Sequence, residues 1–77
     1  KDRVAIDMNV FRQADEILRL NALRAVTEKL NIGQRDITAE HLLSMDSLTQ
    51  GQSVNLPQNF HAVIRRNLMM IEKISAE

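Results

Sequence analysis

Apolar positions at the start of the chain fall on every second residue: Val4, Ile6, Met8 and Val10 are separated by Ala5, Asp7 and Asn9. A period of two predicts a short half-buried strand or an extended lead-in. From about Val10 to Leu30 there is no Pro or Gly, and Phe11, Ala14, Leu18, Ala22 and Ala25 recur at steps of three and four. That spacing predicts one long helix with those residues on its buried stripe. Leu20, Leu23, Val26 and Leu30 widen the stripe toward a second flank, so the helix is expected to meet more than one neighbour, with Asn21 read as a joint. Asn31-Ile32-Gly33 reads as the stop, Gly33 supplying the left-handed conformation. A second helix is announced by Thr38 as its cap, by Glu40 in its first turn, and by Ile37 and Leu42 at the spacing of a hydrophobic staple. Leu42, Met45 and Leu48 form its buried edge, and its end is expected near Gln50-Gly51. Alternation then returns. Val54 and Leu56 predict a short strand, Pro57-Gln58-Asn59 a turn, and Phe60, Ala62 and Ile64 the inward side of a second strand. Leu68 to Ile71 predict a third, joined tightly through Arg66-Asn67. The pattern is α+β: a long helix and a short helix packed with a small antiparallel β-sheet whose hairpin lies near the C-terminus.

Length turns this pattern into one domain, 1–77, because a chain of 77 residues buries only about 60 % of the surface its unfolded form exposes. The start Lys1-Asp2-Arg3 lacks an initiator Met, so an accessory piece of a longer chain is expected. No apolar run approaches the roughly 18 residues of a membrane span, so no membrane partner and a cytoplasmic location are expected. The absence of Cys excludes a disulfide framework, thiolate zinc, iron–sulfur ligation and a Cys nucleophile. Lys+Arg 10 against Asp+Glu 10 leaves a formal net charge of zero, which argues against polyanion binding by bulk charge but leaves room for a local basic face. Phe11 and Phe60 are the only aromatics, so the core is expected to be aliphatic with Met45, Met69 and Met70 as filler. The same shortage removes the stacking platform that single-strand readers use.

Catalytic chemistry finds little to build on. The only glycines, Gly33 and Gly51, both read as helix ends, so no phosphate-cradling loop is present. His41 and His61 are far apart with no ligand spacing, and no metal, cofactor or catalytic residue is expected in this chain. His41, beside Glu40 in a first helical turn, reads as a locally hydrogen-bonded side chain rather than a general base. Asp15, Glu16 and Glu40 suit helix dipoles. The polar feature that remains is the terminal hairpin, where His61, Val63 and Arg65 point opposite to Phe60, Ala62 and Ile64 and Arg66 follows at the turn. Arg12, Arg19 and Arg24 extend this basic face if the long helix lies beside the sheet, and Lys73 stands at its far end. Such a face suits a few phosphate contacts. The competing reading is a set of solvated arginines.

Four runs in order carry a resemblance: Asn21-Ala-Leu-Arg-Ala-Val26, Asp36-Ile-Thr-Ala-Glu-His-Leu42, Val54-Asn-Leu-Pro57, and an Arg-bearing strand ending Leu68-Met-Met-Ile71. Over about Met8 to Lys73 the chain resembles the region that follows the catalytic domain in bacterial tRNA(Ile)-lysidine synthetases. The resemblance implies a parent ligase that uses ATP, with Mg, to adenylate an anticodon cytidine of the isoleucine tRNA and then attaches lysine. The family's ATP-binding motif, Ser-Gly-Gly-x-Asp-Ser, is absent, so none of that chemistry maps onto this chain. Arg24, Glu40, His41, Leu56, Pro57 and the hairpin arginines do map, to a region that supports the catalytic domain and helps engage tRNA. The implied partners are therefore tRNA and the catalytic domain of the same chain. The implied tRNA-binding residues are Arg24, Arg65 and Arg66, extended by Arg12, Arg19, His61 and Lys73. Relatives often carry Gly after Leu-Pro, where this chain has Gln58-Asn59, and an aromatic near Arg66-Asn67, where it has none. Two other classes fit the element order. A winged-helix DNA binder is disfavoured because Glu40, His41, Ser44, Asp46 and Ser47 offer no Arg or Lys to a major groove. A structural or homodimerising module would show an apolar patch exposed on the wide face of the long helix.

Overall fold

The computed structural model describes residues 3–32 and 37–74. The alternating start forms strand β1 (Arg3–Asp7), and the alternation expected to reach Val10 stops at Asp7. There the Asp7 carboxylate accepts from the Asn9 N–H at 2.9 Å and starts the one-turn helix α1 (Met8–Phe11). The single helix expected from Val10 to Leu30 is thus two helices. Asp15 takes extended backbone and its carboxylate accepts from the Leu18 N–H at 3.1 Å, which opens α2 (Glu16–Lys29). Two carboxylate caps eight residues apart override an uninterrupted helical periodicity, since each satisfies donors that a continuous helix would have claimed. The break lets Met8 and Phe11 turn into the core. No joint occurs at Asn21, which sits inside α2.

The buried side of α2 also differs from the expected stripe. Leu18, Ala22 and Ala25 are exposed, while Leu23 and Thr27 are fully buried, with Leu20 and Val26 half-buried beside them. The expected second flank is therefore the core face. Thr27 escapes an apolar tally, yet its hydroxyl donates to the Arg24 carbonyl at 2.8 Å, so it enters the core with its polar atom satisfied. At the end of α2, Asn31 occupies the left-handed position (φ 63°). The Ile32 N–H donates to the Thr27 carbonyl and the Asn31 N–H to the Glu28 carbonyl, the paired bonds of a Schellman stop. Ile32 and Thr27, the two residues that the first of these bonds joins, are both buried. Gly33, expected in this role, and Asp36 lie outside the described residues.

Helix α3 (Ala39–Asp46) begins where expected. The His41 N–H donates to Thr38 Oγ1 at 3.3 Å, and the Thr38 N–H donates to His41 Nδ1 at 3.0 Å, a reciprocal capping box with His in the place usually held by Glu. Ile37 and Leu42 are both buried, as a staple requires. Thr38→Ala removes one half of this box and should lower stability by about 1 kcal/mol in urea unfolding; an unchanged midpoint would contradict the cap. The helix ends at Asp46, short of the expected Gln50-Gly51. Gly51 instead makes a bulge: with φ 83°, its N–H donates to the Ile64 carbonyl at 2.8 Å while the Ile64 N–H donates to the Gln52 carbonyl at 3.2 Å. A Cβ there would meet nothing, so backbone conformation and not space demands glycine.

Strands β2 (Ser53–Leu56), β3 (Phe60–Arg65) and β4 (Leu68–Lys73) follow, and the antiparallel sheet runs β1-β4-β3-β2. Gln58 and Asn59 both adopt left-handed backbone in the β2–β3 connection, a conformation that glycine reaches at least cost. The register pairs Ala62 with Val54 and Ile71, and Ile64 with Met69, so the inward row of every strand meets the helices. Leu23, Met45, Ala62, Met69 and Ile71 are fully buried in that layer. Met70, read with Met45 and Met69 as filler, faces the other side with Val63 and is half-buried. The chain is a two-layer α+β fold, and among the described residues no helix is long and apolar enough to cross a membrane.

Candidate nucleic-acid interface

The β3–β4 hairpin turns on two residues, Arg66 (φ 52°) and Asn67 (φ 62°). Two successive positive φ values in a two-residue loop are the mark of a type I′ turn, whose twist matches that of the strands it joins. Asn at the second position is a common choice. Arg at the first is not, because an L-residue with a long side chain in the left-handed region costs about 1–2 kcal/mol that Gly avoids. The tip is held from both sides. The Met8 N–H donates to the Asn67 carbonyl at 3.0 Å, and the Asn67 N–H donates to Gln50 Oε1 at 3.1 Å. These bonds tie the turn to the start of α1 and to the loop before β2, so exposed Arg65 and Arg66 project from an anchored backbone.

A hollow of about 250 Å³ beneath the tip is lined by Met8, Arg12, Gln50 and Asn67 among others, which brings Arg12 next to the hairpin. Its guanidinium is already engaged: Nη1 donates to the Asp46 carbonyl at 2.9 Å and Nη2 to the Leu48 carbonyl at 2.6 Å. Arg19 grips the same helix end. Its Nε and Nη2 donate to the two oxygens of the Asp46 carboxylate at 2.8 and 3.2 Å, and Nη1 donates to the Ala14 carbonyl at 2.7 Å. The hydrogen bond with Asp46 holds this guanidinium above its ordinary value, against the lowering effect of desolvation. The arrangement has a physical reason. A carboxylate at the C-terminal end of α3 opposes the helix dipole, and two arginines there reverse the local sign while satisfying carbonyls that the helix leaves unpaired. Arg12→Ala should therefore lower stability by about 1–2 kcal/mol through two lost charge-assisted bonds. A thermal melt matching the parent chain would show those bonds to be idle.

His61 and Lys73 stand along the strands away from the tip. His61 lies four residues along β3 from Arg65, roughly 13 Å at strand rise, and its Nε2 is 3.2 Å from Glu72 Oε2. Glu72 also faces Arg3 at 3.9 Å, so the row Arg3-Glu72-His61 mixes both signs. Lys73 falls in the inward row opposite Phe60, its ammonium 5.6 Å from the ring centroid. Val63, expected on an open basic face, is buried between its neighbours. Arg24 stands exposed on α2 in the helical layer. At the tip itself stand Arg65 and Arg66, with Arg12 below them. Gln50 and Met8 were missed as supports of the tip, since neither carries a local signal and Gln50 reaches across 17 positions. Among the described residues no three His, Asp or Glu side chains gather as a metal site. No protein-family model, curated protein or solved structure matches the chain.

Proposed function

We propose that this chain is a noncatalytic accessory domain of a tRNA(Ile)-lysidine synthetase that contacts tRNA through the β3–β4 hairpin tip. The observation that carries the contact is Arg66 in the first left-handed position of an anchored two-residue turn. Local rules broken without local gain concentrate at functional positions. A solvent-facing guanidinium pair at a convex corner, free of the Asp46 clamp that occupies Arg12 and Arg19, suits phosphates. The resemblance in residue order supports the parent enzyme, and the turn supports the mode of contact. Glu40, Leu43, Ser44 and Ser47, the exposed stripe of α3, present no base-reading cation and weigh against a winged helix. Exposed Val10, Ile17 and Leu18, at 66, 71 and 59 % of full exposure, favour the second reading, a structural module docked on its parent's catalytic domain or on a second copy.

The test is a titration of the chain with tRNA bearing the isoleucine CAU anticodon at two salt concentrations, beside an unrelated tRNA and a DNA duplex. Salt-sensitive binding that favours tRNA over DNA is the expected result. Absence of binding at either salt would leave the structural module as the better reading, and a preference for duplex DNA would restore the winged helix.

A further inference from the structure

The two edges of the sheet are β1 and β2, and β2 is flanked by a groove. The Gly51 bulge sets the hydrogen-bonding phase. Because Ile64 exchanges its bonds with Gly51 and Gln52, alternation along an antiparallel ladder turns Val54 and Leu56 toward β3. Ser53 and Asn55 then direct their N–H and C=O groups outward. The open stretch is short: the bulge bounds it on one side and Pro57, which has no N–H to offer, on the other. Both edge residues are exposed and neither is charged, so within this short window the edge is guarded only from its two ends, by the bulge and by Pro57.

Beside the window, a groove of about 590 Å³ lies between β2 and the stripe of α3 formed by Glu40, Leu43, Ser44 and Ser47, residues at helical spacings of three and four. Leu43 is 45 % exposed there and Val54 is half-buried, so the groove floor is apolar and reachable. Among the described residues, Glu40 is the only charged one in its lining. A strand added to β2 would send every second side chain into this groove and the others to solvent.

We infer that the β2 edge and the α3 groove form a docking site for a short extended peptide segment with a basic side chain and apolar side chains on one face. The main chain would pair with Ser53 and Asn55, the apolar side chains would cover Leu43 and Val54, and the basic one would meet Glu40. Charge favours this occupant over a second copy of the chain. Antiparallel pairing of two β2 edges would bring two α3 stripes to one interface, each carrying its Glu40 and neither a cation. The site is separate from the hairpin tip and does not depend on the tRNA reading.

The experiment uses the ¹⁵N-labelled chain and the probe Ac-Lys-Thr-Val-Thr-Val-Thr-NH2, whose Lys and two Val share one face. Binding should move the Ser53 and Asn55 amide signals. Methylating the backbone nitrogens of alternate probe residues should abolish binding in one phase and spare it in the other, because only one phase faces the edge. Leu43→Asp, at an exposed position, should weaken binding about tenfold or more. Glu40→Lys should weaken this probe and strengthen the same peptide with Glu in place of Lys. Several results would overturn the inference: no binding at millimolar probe, equal binding by both methylated phases, or signal changes confined to the β1 edge. Concentration-dependent shifts of Ser53 and Asn55 without probe would overturn it too, in favour of a second copy.

Discussion

Leu23→Ala should remove about 3 kcal/mol of folding stability. Leu23 is fully buried between α2 and the rest of the core, so the substitution deletes buried methyl groups and leaves a cavity that a tightly packed layer cannot close. For a chain of 77 residues, whose total stability is on the order of 4–12 kcal/mol, that is a large share. The informative control is Leu18→Ala on the same helix. Leu18 is 59 % exposed, and its truncation should change stability by no more than about 0.5 kcal/mol. Urea unfolding of both variants decides which face of α2 is buried. Equal losses, or a greater loss at Leu18, would mean that the stripe running through Leu18, Ala22 and Ala25 is the core face after all. The pair also probes the exposed apolar surface of α1 and α2. If that surface docks on a partner, Leu18→Ala should weaken the association while leaving the fold intact.

The second large effect is expected at the hairpin. Arg65→Ala with Arg66→Ala should weaken tRNA binding and reduce the slope of log affinity against log salt by about one to two, since each phosphate contact contributes roughly 0.7–0.9. Because both side chains are exposed, the double variant should fold as the parent does. A second variant separates function from turn stability. Arg66→Asn with Asn67→Gly places the favoured type I′ pair at the tip, so the hairpin should gain up to about 1 kcal/mol while the tip loses a cation. Binding that falls as stability rises assigns Arg66 to contact. An unchanged affinity and slope in both variants would remove the tip from the interface and leave the left-handed arginine without a role. The anchoring bonds from Met8 and Gln50 explain why the effect should be local: they hold Asn67 by its backbone, which none of these substitutions removes.

How far the fold was legible depended on the range of the interactions behind each element. Thr38 with Ile37 and Leu42, and the turn residues Arg66-Asn67, carry their signals within about six residues, and the structure places the start of α3 and the hairpin as read. Helix α2 failed at the level of its face. Apolar residues occupy positions all round it, and the buried one that mattered most for phase, Thr27, looks polar until its hydroxyl is seen bonded to Arg24. The break at Arg12 to Asp15 was hidden for a related reason. Asp15 read as a favourable charge near a helix start, which it is, but the helix it starts is the second one. Gly51 reads locally as a helix stop, whereas its φ serves a bulge set by Ile64, thirteen residues further on.

The candidate site shows the same division. That Arg65 and Arg66 sit at a tight turn follows from alternation on either side of it. That Arg12 and Arg19 spend their guanidinium groups on the end of α3 does not, because their partners Asp46 and Leu48 lie 27 to 36 positions away. Nor could sequence show that His61 would stand opposite Glu72, or Lys73 over Phe60, since both depend on the register of β3 against β4. By itself, then, the sequence determined the α+β class, the Thr38 cap, the Arg66-Asn67 turn and the absence of thiol chemistry, because these rest on local backbone preference and residue type. Only the tertiary structure decided which arginines remain available at the surface and which face of α2 is the core. Those outcomes are set by packing and hydrogen bonding between segments far apart in the chain, whose meeting no local pattern records.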